Sequence, residues 1–182
     1  MKFAIAPDSL TKEQFLNCFG GVYEHSEWVA DIVFERGITM QDQDIAILAA
    51  RMTAIVDEAG QARQMKLLCA HPELAGKLAI DGGLTAESMS EQASVGLDKC
   101  NPEEFAEFQR LNSAYRTAFG HPFIIAVRGL TRAKILDAFR KRIDNDKPTE
   151  LNTALAEVHK IARIRLSALS NPAAWRKTRS ST

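Results

Sequence analysis

The chain has 182 residues, 46% hydrophobic and 25% charged, with 23 basic and 23 acidic side chains; that length and balance suit one globular domain with a real core. Zero formal net charge and a pI near 6.9 exclude a general electrostatic grip on nucleic acid, which needs a basic face. No apolar run reaches the ~18 residues of a membrane span, and Cys18, Cys69 and Cys100 are widely spaced without a CxxC, which argues against a disulfide framework or zinc site and for a reducing compartment.

Helical patterns dominate in chain order. Thr11 followed by Gln14 reads as a capping box that opens a short helix through Phe15, Leu16 and Phe19, ended by Gly20-Gly21. Glu24 to Phe34 carries an apolar stripe of Trp28, Val29, Ile32 and Val33, with Gly37 as its stop. Asp42 to Ala59 is the longest early helix, with Ile45, Leu48, Ala49, Met52, Ile55 and Val56 at helical spacing. A further helix, from about Ala62 to Ala70, is expected to bury Met65, Leu68 and Cys69. Pro72 then disfavours helical geometry at His71, so His71 is expected at a helix end, presented rather than packed mid-helix.

Asp81-Gly82-Gly83-Leu84 reads as a loop, and Thr85 caps a helix through Leu97, weakened near Gly96. Asn101-Pro102-Glu103-Glu104 is a strong helix start: a cap, proline at the first position and acids near the positive end. Phe105, Phe108, Leu111, Asn112 and Tyr115 follow at helical spacing up to Phe119-Gly120. His121 to Val127 is the only strand-like run. Without a partner strand it reads as a buried irregular or helical segment with some backbone groups able to meet a ligand. Thr131 caps a helix through Ile135, Leu136, Phe139 and Ile143. Pro148-Thr149-Glu150 opens the last long helix, whose Leu151, Leu155, Val158, Ile161, Ala162 and Leu166 face the core, stopped by Asn171-Pro172. The expectation is an all-α, single-domain bundle of about eight or nine helices over 1–172, with 173–182 as an exposed basic tail. The opening Met1-Lys2-Phe3-Ala4-Ile5 turns polar too soon for a signal peptide, and the closing Ser180-Ser181-Thr182 is not a peroxisomal address.

Several residues are candidates for chemistry. His71 has two readings, a cap on helix-end carbonyls or a general acid–base. Ser88, Glu91 and Gln92 fall on one helical face. A solvated face or local capping pair would explain them, but Leu84 and Leu97 bracket them and Ala93, Val95 and Gly96 leave little bulk, as a pocket wall requires. Arg128, Arg163 and Arg165 are candidate anion clamps; Arg165 stands out between Ile164 and Leu166. His25, His71, His121 and His159 form no metal-binding pattern, and Cys69 reads as core rather than as a nucleophile.

Together these motifs resemble the 2-oxo-4-hydroxy-4-carboxy-5-ureidoimidazoline (OHCU) decarboxylase family. The residues that carry the resemblance are 24–30, His71 to Gly76, Leu84-Thr85 with Ser88, Glu91-Gln92, Gly96 to Asp98, Leu111-Asn112 with Tyr115, Phe119-Gly120 with Pro122 to Ile124, and Ile161-Ala162 with Arg165-Leu166. The resemblance spans nearly the whole chain in order. It implies an all-α homodimer, no cofactor, no metal, and a small-molecule substrate, OHCU, in urate degradation to (S)-allantoin. By it His71 matches the catalytic histidine, and Glu91 matches a substrate-contacting position and is taken as catalytic with it. Pro72, Ser88 and Gln92 match substrate-contacting positions, and Phe123, Ile124, Ile125, Ala126 and Val127 match a stretch whose backbone meets the substrate ring. Arg165 best matches a pocket arginine, with Arg163 close by. His121 departs from the aromatic residue common at its place. A cytoplasmic setting is expected. Rival readings are a helical ligand-binding protein without turnover and a hydrolase of another ureide.

Overall fold

The computed structural model describes residues 1–76 and 84–172; the expected loop at Asp81–Gly83 and the expected basic tail at 173–182 lie outside them. The fold is all-α. Among the described residues there are eight α-helices: α1 (Lys12–Phe19), α2 (Trp28–Glu35), α3 (Ile45–Glu58), α4 (Gln61–Cys69), α5 (Ala86–Ser94), α6 (Pro102–Phe119), α7 (Arg132–Arg142) and α8 (Lys147–Ala168). The β-structure among these residues is a single antiparallel bridge, Lys2 with Asp44. None of these helices is long and apolar enough to cross a membrane.

The caps read from the sequence set most helix starts. Thr11 and Gln14 close a reciprocal capping box, as do Asn101 and Glu104, while Thr85 and Thr131 accept from Ser88 and Lys134. Two starts fall later than expected. The segment from Glu24 does not open a helix: His25 sits at φ 45°, and this left-handed turn delays α2 to Trp28. Before α3, Met40–Gln43 forms a 3₁₀ turn, and Asp44 caps the helix by accepting from Ala46 at 2.8 Å. In α4, Leu67 and Leu68 are buried, whereas Cys69 is exposed, not the core residue expected.

The contacts group the chain into two compact units, 1–67 with 159–182 and 68–158. In the first, Phe15 lies 4.6 Å from Phe19 and 5.3 Å from Phe34, ring centre to ring centre, and Phe3 meets Phe19 edge-on at 5.2 Å. Leu48, Met52, Val56 and Leu166 are fully buried there. In the second, one buried cluster joins Leu74, Ala75, Leu97, Phe108, Leu111, Tyr115, Phe123, Val127, Ile135 and Phe139. This cluster places the turn after His71 and the strand-like run on one core.

Candidate active site

The turn after α4 is built by a change of backbone geometry. The His71 N–H donates to the Leu68 carbonyl at 3.1 Å, which closes the helix end, and Pro72 has no N–H with which to continue it. The position is a helix end, as expected, but His71 is buried. Three residues on from Pro72, Ala75 takes φ 49°, a left-handed geometry that costs a non-glycine residue about 1–2 kcal/mol.

Side-chain amides from two helices hold this strained turn. Gln92 of α5 accepts from the Ala75 N–H at 3.1 Å and donates to the Glu73 carbonyl at 3.3 Å. From α6, Asn112 donates to the Leu74 carbonyl and Gln109 to the Ala75 carbonyl, both at 2.9 Å. Arg116 then pairs with the Glu73 carboxylate at 2.9 Å. Each neutral bond of this kind contributes about 0.5–1.5 kcal/mol net, so the four together exceed the strain they hold. Asn112 Oδ1 is buried with no partner among the described residues. Leaving such an acceptor unmet costs about 1–3 kcal/mol, so the residue is explained by what its Nδ2 does for Leu74. Sequence reasoning placed Asn112 on a helical stripe without this role and did not single out Gln109. The signal available was a polar residue set among Phe108, Leu111 and Tyr115.

On α5, Ser88 and Gln92 are buried and Glu91 is half-buried, so the predicted polar face turns inward at two of its three positions. The Ser88 N–H donates to the Thr85 cap. Gln92 has its amide committed to the 73–75 backbone. That leaves one carbonyl lone pair and one N–H for anything else.

The run from Phe123 to Val127 is irregular, as expected, and is pinned by side chains instead of a neighbouring strand. Phe123, Ile124 and Val127 are buried, and Ile125 and Ala126 are half-buried. The Ala126 N–H donates to Glu157 at 2.9 Å, and the Ile124 carbonyl accepts from Arg142 Nη1 at 2.7 Å. Arg142 also lies 4.4 Å over the Phe123 ring, which stacks on Phe139 at 3.6 Å.

Behind this run lies a buried charged network that the sequence did not announce. Glu150, fully buried, accepts from Arg142, from the Tyr115 hydroxyl and from Asn145 Nδ2. Burial, reinforced by Glu150, pushes the Tyr115 phenol far above its ordinary value, so it stays a donor. His121 packs edge-on to Tyr115 at 5.6 Å and places Nδ1 2.9 Å from the Pro122 carbonyl. Burial holds its imidazole below the usual histidine value, against the opposite pull of that carbonyl.

The three arginine candidates separate by burial. Arg128 and Arg163 are exposed, whereas Arg165 is buried. Arg165 belongs to the first unit, where its Nη1 meets Glu24 Oε2 at 2.7 Å and the Gly21 carbonyl at 3.4 Å. Glu24 is itself buried and precedes the strained His25. A buried acid paired to a buried arginine is costly to desolvate, so losing either partner leaves an uncompensated charge. Among the described residues no cluster of histidine, cysteine and acidic side chains could hold a metal ion.

A profile of the OHCU decarboxylase family matches residues 8–167, across both units. The OHCU decarboxylase of Halalkalicoccus jeotgali is 40% identical over 88% of this chain and 88% of its own. The mouse enzyme of that name is 33% identical over 89% of each. Among solved structures, that of (S)-allantoin synthase superposes with a TM-score of 0.71 at 32% identity, covering 90% of this chain and 52% of the other. An OHCU decarboxylase crystallised in the presence of (S)-allantoin has the same fold, with a TM-score of 0.65 at 22% identity over 88% of this chain and 99% of its own. On a match of this extent, the chain belongs to the OHCU decarboxylase family.

Proposed function

We propose that this protein decarboxylates OHCU to (S)-allantoin and carbon dioxide in urate degradation, with His71 as the acid–base. The observation that carries the reading is the buried histidine at the end of α4, in a turn held under strain, at the position the family resemblance gives its catalytic residue. Strained, over-determined backbone of this kind clusters at active sites.

The substrate carries a carboxylate and a hydroxyl on one ring carbon, next to a carbon in an imine. When the carbon–carboxylate bond breaks, its electron pair forms a double bond to that neighbour, and the imine nitrogen takes up the displaced pair with a proton. The hydroxyl then loses its proton to become the ring carbonyl, and the adjacent carbon gains one. The imine is thus the electron sink, and the protein's task is to orient the carboxylate and direct one proton to one face. His71 handles that proton, with the substrate hydroxyl as its partner. Glu91, together with the remaining capacity of Gln92, meets the ureido and ring N–H groups. The Ser88 hydroxyl, Pro72 and the 123–127 backbone line the ring. The resemblance also supports a homodimer and one catalytic domain over 1–172, and the free Cys18, Cys69 and Cys100 fit the reducing cytoplasm.

His71→Asn is expected to lower turnover by about 10²-fold or more, measured on freshly generated substrate and corrected for spontaneous decay. Turnover near that of the parent removes His71 from the chemistry.

A further inference from the structure

Six residues, His71 to Gly76, form the turn that follows α4 and Ala70. Its first residue is tied to α4 through Leu68. Its last part is tied at three successive carbonyls, those of Glu73, Leu74 and Ala75, each accepting from a different side-chain amide: Gln92, Asn112 and Gln109. The Ala75 N–H is also held by Gln92. Between these two anchors only His71 and Pro72 remain, and Pro72 has its φ fixed by its ring. Gly76 closes tightly on the same structure: a Cβ there would meet the Glu73 Cβ at 3.1 Å and its carbonyl oxygen at 3.2 Å.

We propose that Gln109 and Asn112 of α6 are positioning residues for His71, acting by clamping the left-handed turn at Ala75. Neither acts on the substrate. Among the described residues, the hydrogen bonds of these two side chains go to the 74–75 backbone, and a turn in an unfavourable conformation relaxes when its anchors are removed. Relaxation at Ala75 is transmitted to His71 because the two-residue span between the anchors has little rotational freedom left. The proposal rests on the reading of His71 as the acid–base, but its structural half is measurable without turnover.

The test compares the parent with Gln109→Met, which keeps the length but removes the donor, and Gln109→Lys, which restores one. The readouts are kcat, KM, exchange of the Ala75 amide, and the long-range ¹H–¹⁵N signals of the His71 ring. Gln109→Met is expected to lower kcat about 10-fold or more, since small misplacements of a reacting group are costly, with KM changed by less than about twofold. The Ala75 amide should exchange faster and the His71 ring signals should move, and Gln109→Lys should reverse both. Asn112→Asp, which turns an oxygen toward the Leu74 carbonyl, should repeat the pattern if Gln109→Met fails to fold. A folded Gln109→Met with parental Ala75 exchange and parental His71 signals overturns the proposal, as does a Gln109→Lys variant as impaired as Gln109→Met. A parent that gives no turnover overturns the acid–base reading instead, and the exchange and ring signals still decide the clamp.

Discussion

Ala75 carries the backbone strain of the turn that follows His71. It holds φ 49° without being glycine and is almost fully buried. Ala75→Gly is therefore expected to leave unfolding stability within about 1 kcal/mol of the parent or to raise it, because relief of left-handed strain offsets the added freedom of the unfolded chain. Ala75→Val, branched at Cβ in the same conformation, should lose more than about 2 kcal/mol through strain and overpacking. Urea unfolding of the two variants checks this, and a stability loss in Ala75→Gly as large as in Ala75→Val would contradict it. None of this strain was legible in the sequence, because alanine gives no sign of a positive φ. The difference in burial between Arg163 and Arg165 was legible in principle. Ile161, Ala162, Arg165 and Leu166 recur at one helical face, and Arg163 falls away from it. What the sequence lacked was the partner, Glu24, which is 141 residues away along the chain.

At the scale of elements, capping chemistry was readable because it is local: Thr11, Thr85, Asn101 and Thr131 all act within one helical turn. The pinning of the 121–127 run was not, because Arg142 and Glu150 come from two other helices and look like ordinary surface charges in sequence. Arg142→Met should destabilise by about 3–5 kcal/mol by leaving Glu150 buried without its counter-charge. Arg142→Met, Glu150→Leu should recover much of that loss; equal losses in the single and double variants would refute the network. The same run holds a pH prediction. His121 faces Glu150, Arg142 and Arg116 as charges, the Pro122 carbonyl, and the rings of Tyr115 and Phe119. Its folded-state pKa lies below 6.5, so near and below that value the unfolded chain binds more protons than the folded one. Stability is then full above about pH 6.5 and falls as pH drops toward the lowered folded value. His159, also depressed by burial, adds to the same decline. His121→Phe should flatten the fall in melting temperature between about pH 7 and pH 5, leaving the part due to His159. An unchanged acid decline would show that His121 does not contribute.

For the whole molecule, the helical periodicities were enough to place almost every element and the all-α class, since a 3.6-residue stripe is a property of the local chain. The candidate site was legible only where its proposed residues are clustered in sequence, as at His71-Pro72 and on the Ser88–Gln92 face. The amide clamp on the His71 turn joins residues up to 38 apart, and no pattern along the chain announces that pairing. In the proposed reaction the protein directs a proton to one face of the ring after carbon dioxide leaves. The most direct measurement is circular dichroism of allantoin formed when this protein is added to freshly generated OHCU. The expected result is a growing signal of (S)-allantoin, faster than spontaneous decay and greatly reduced in His71→Asn. Racemic product formed at the spontaneous rate, with correctly folded protein present, would contradict it.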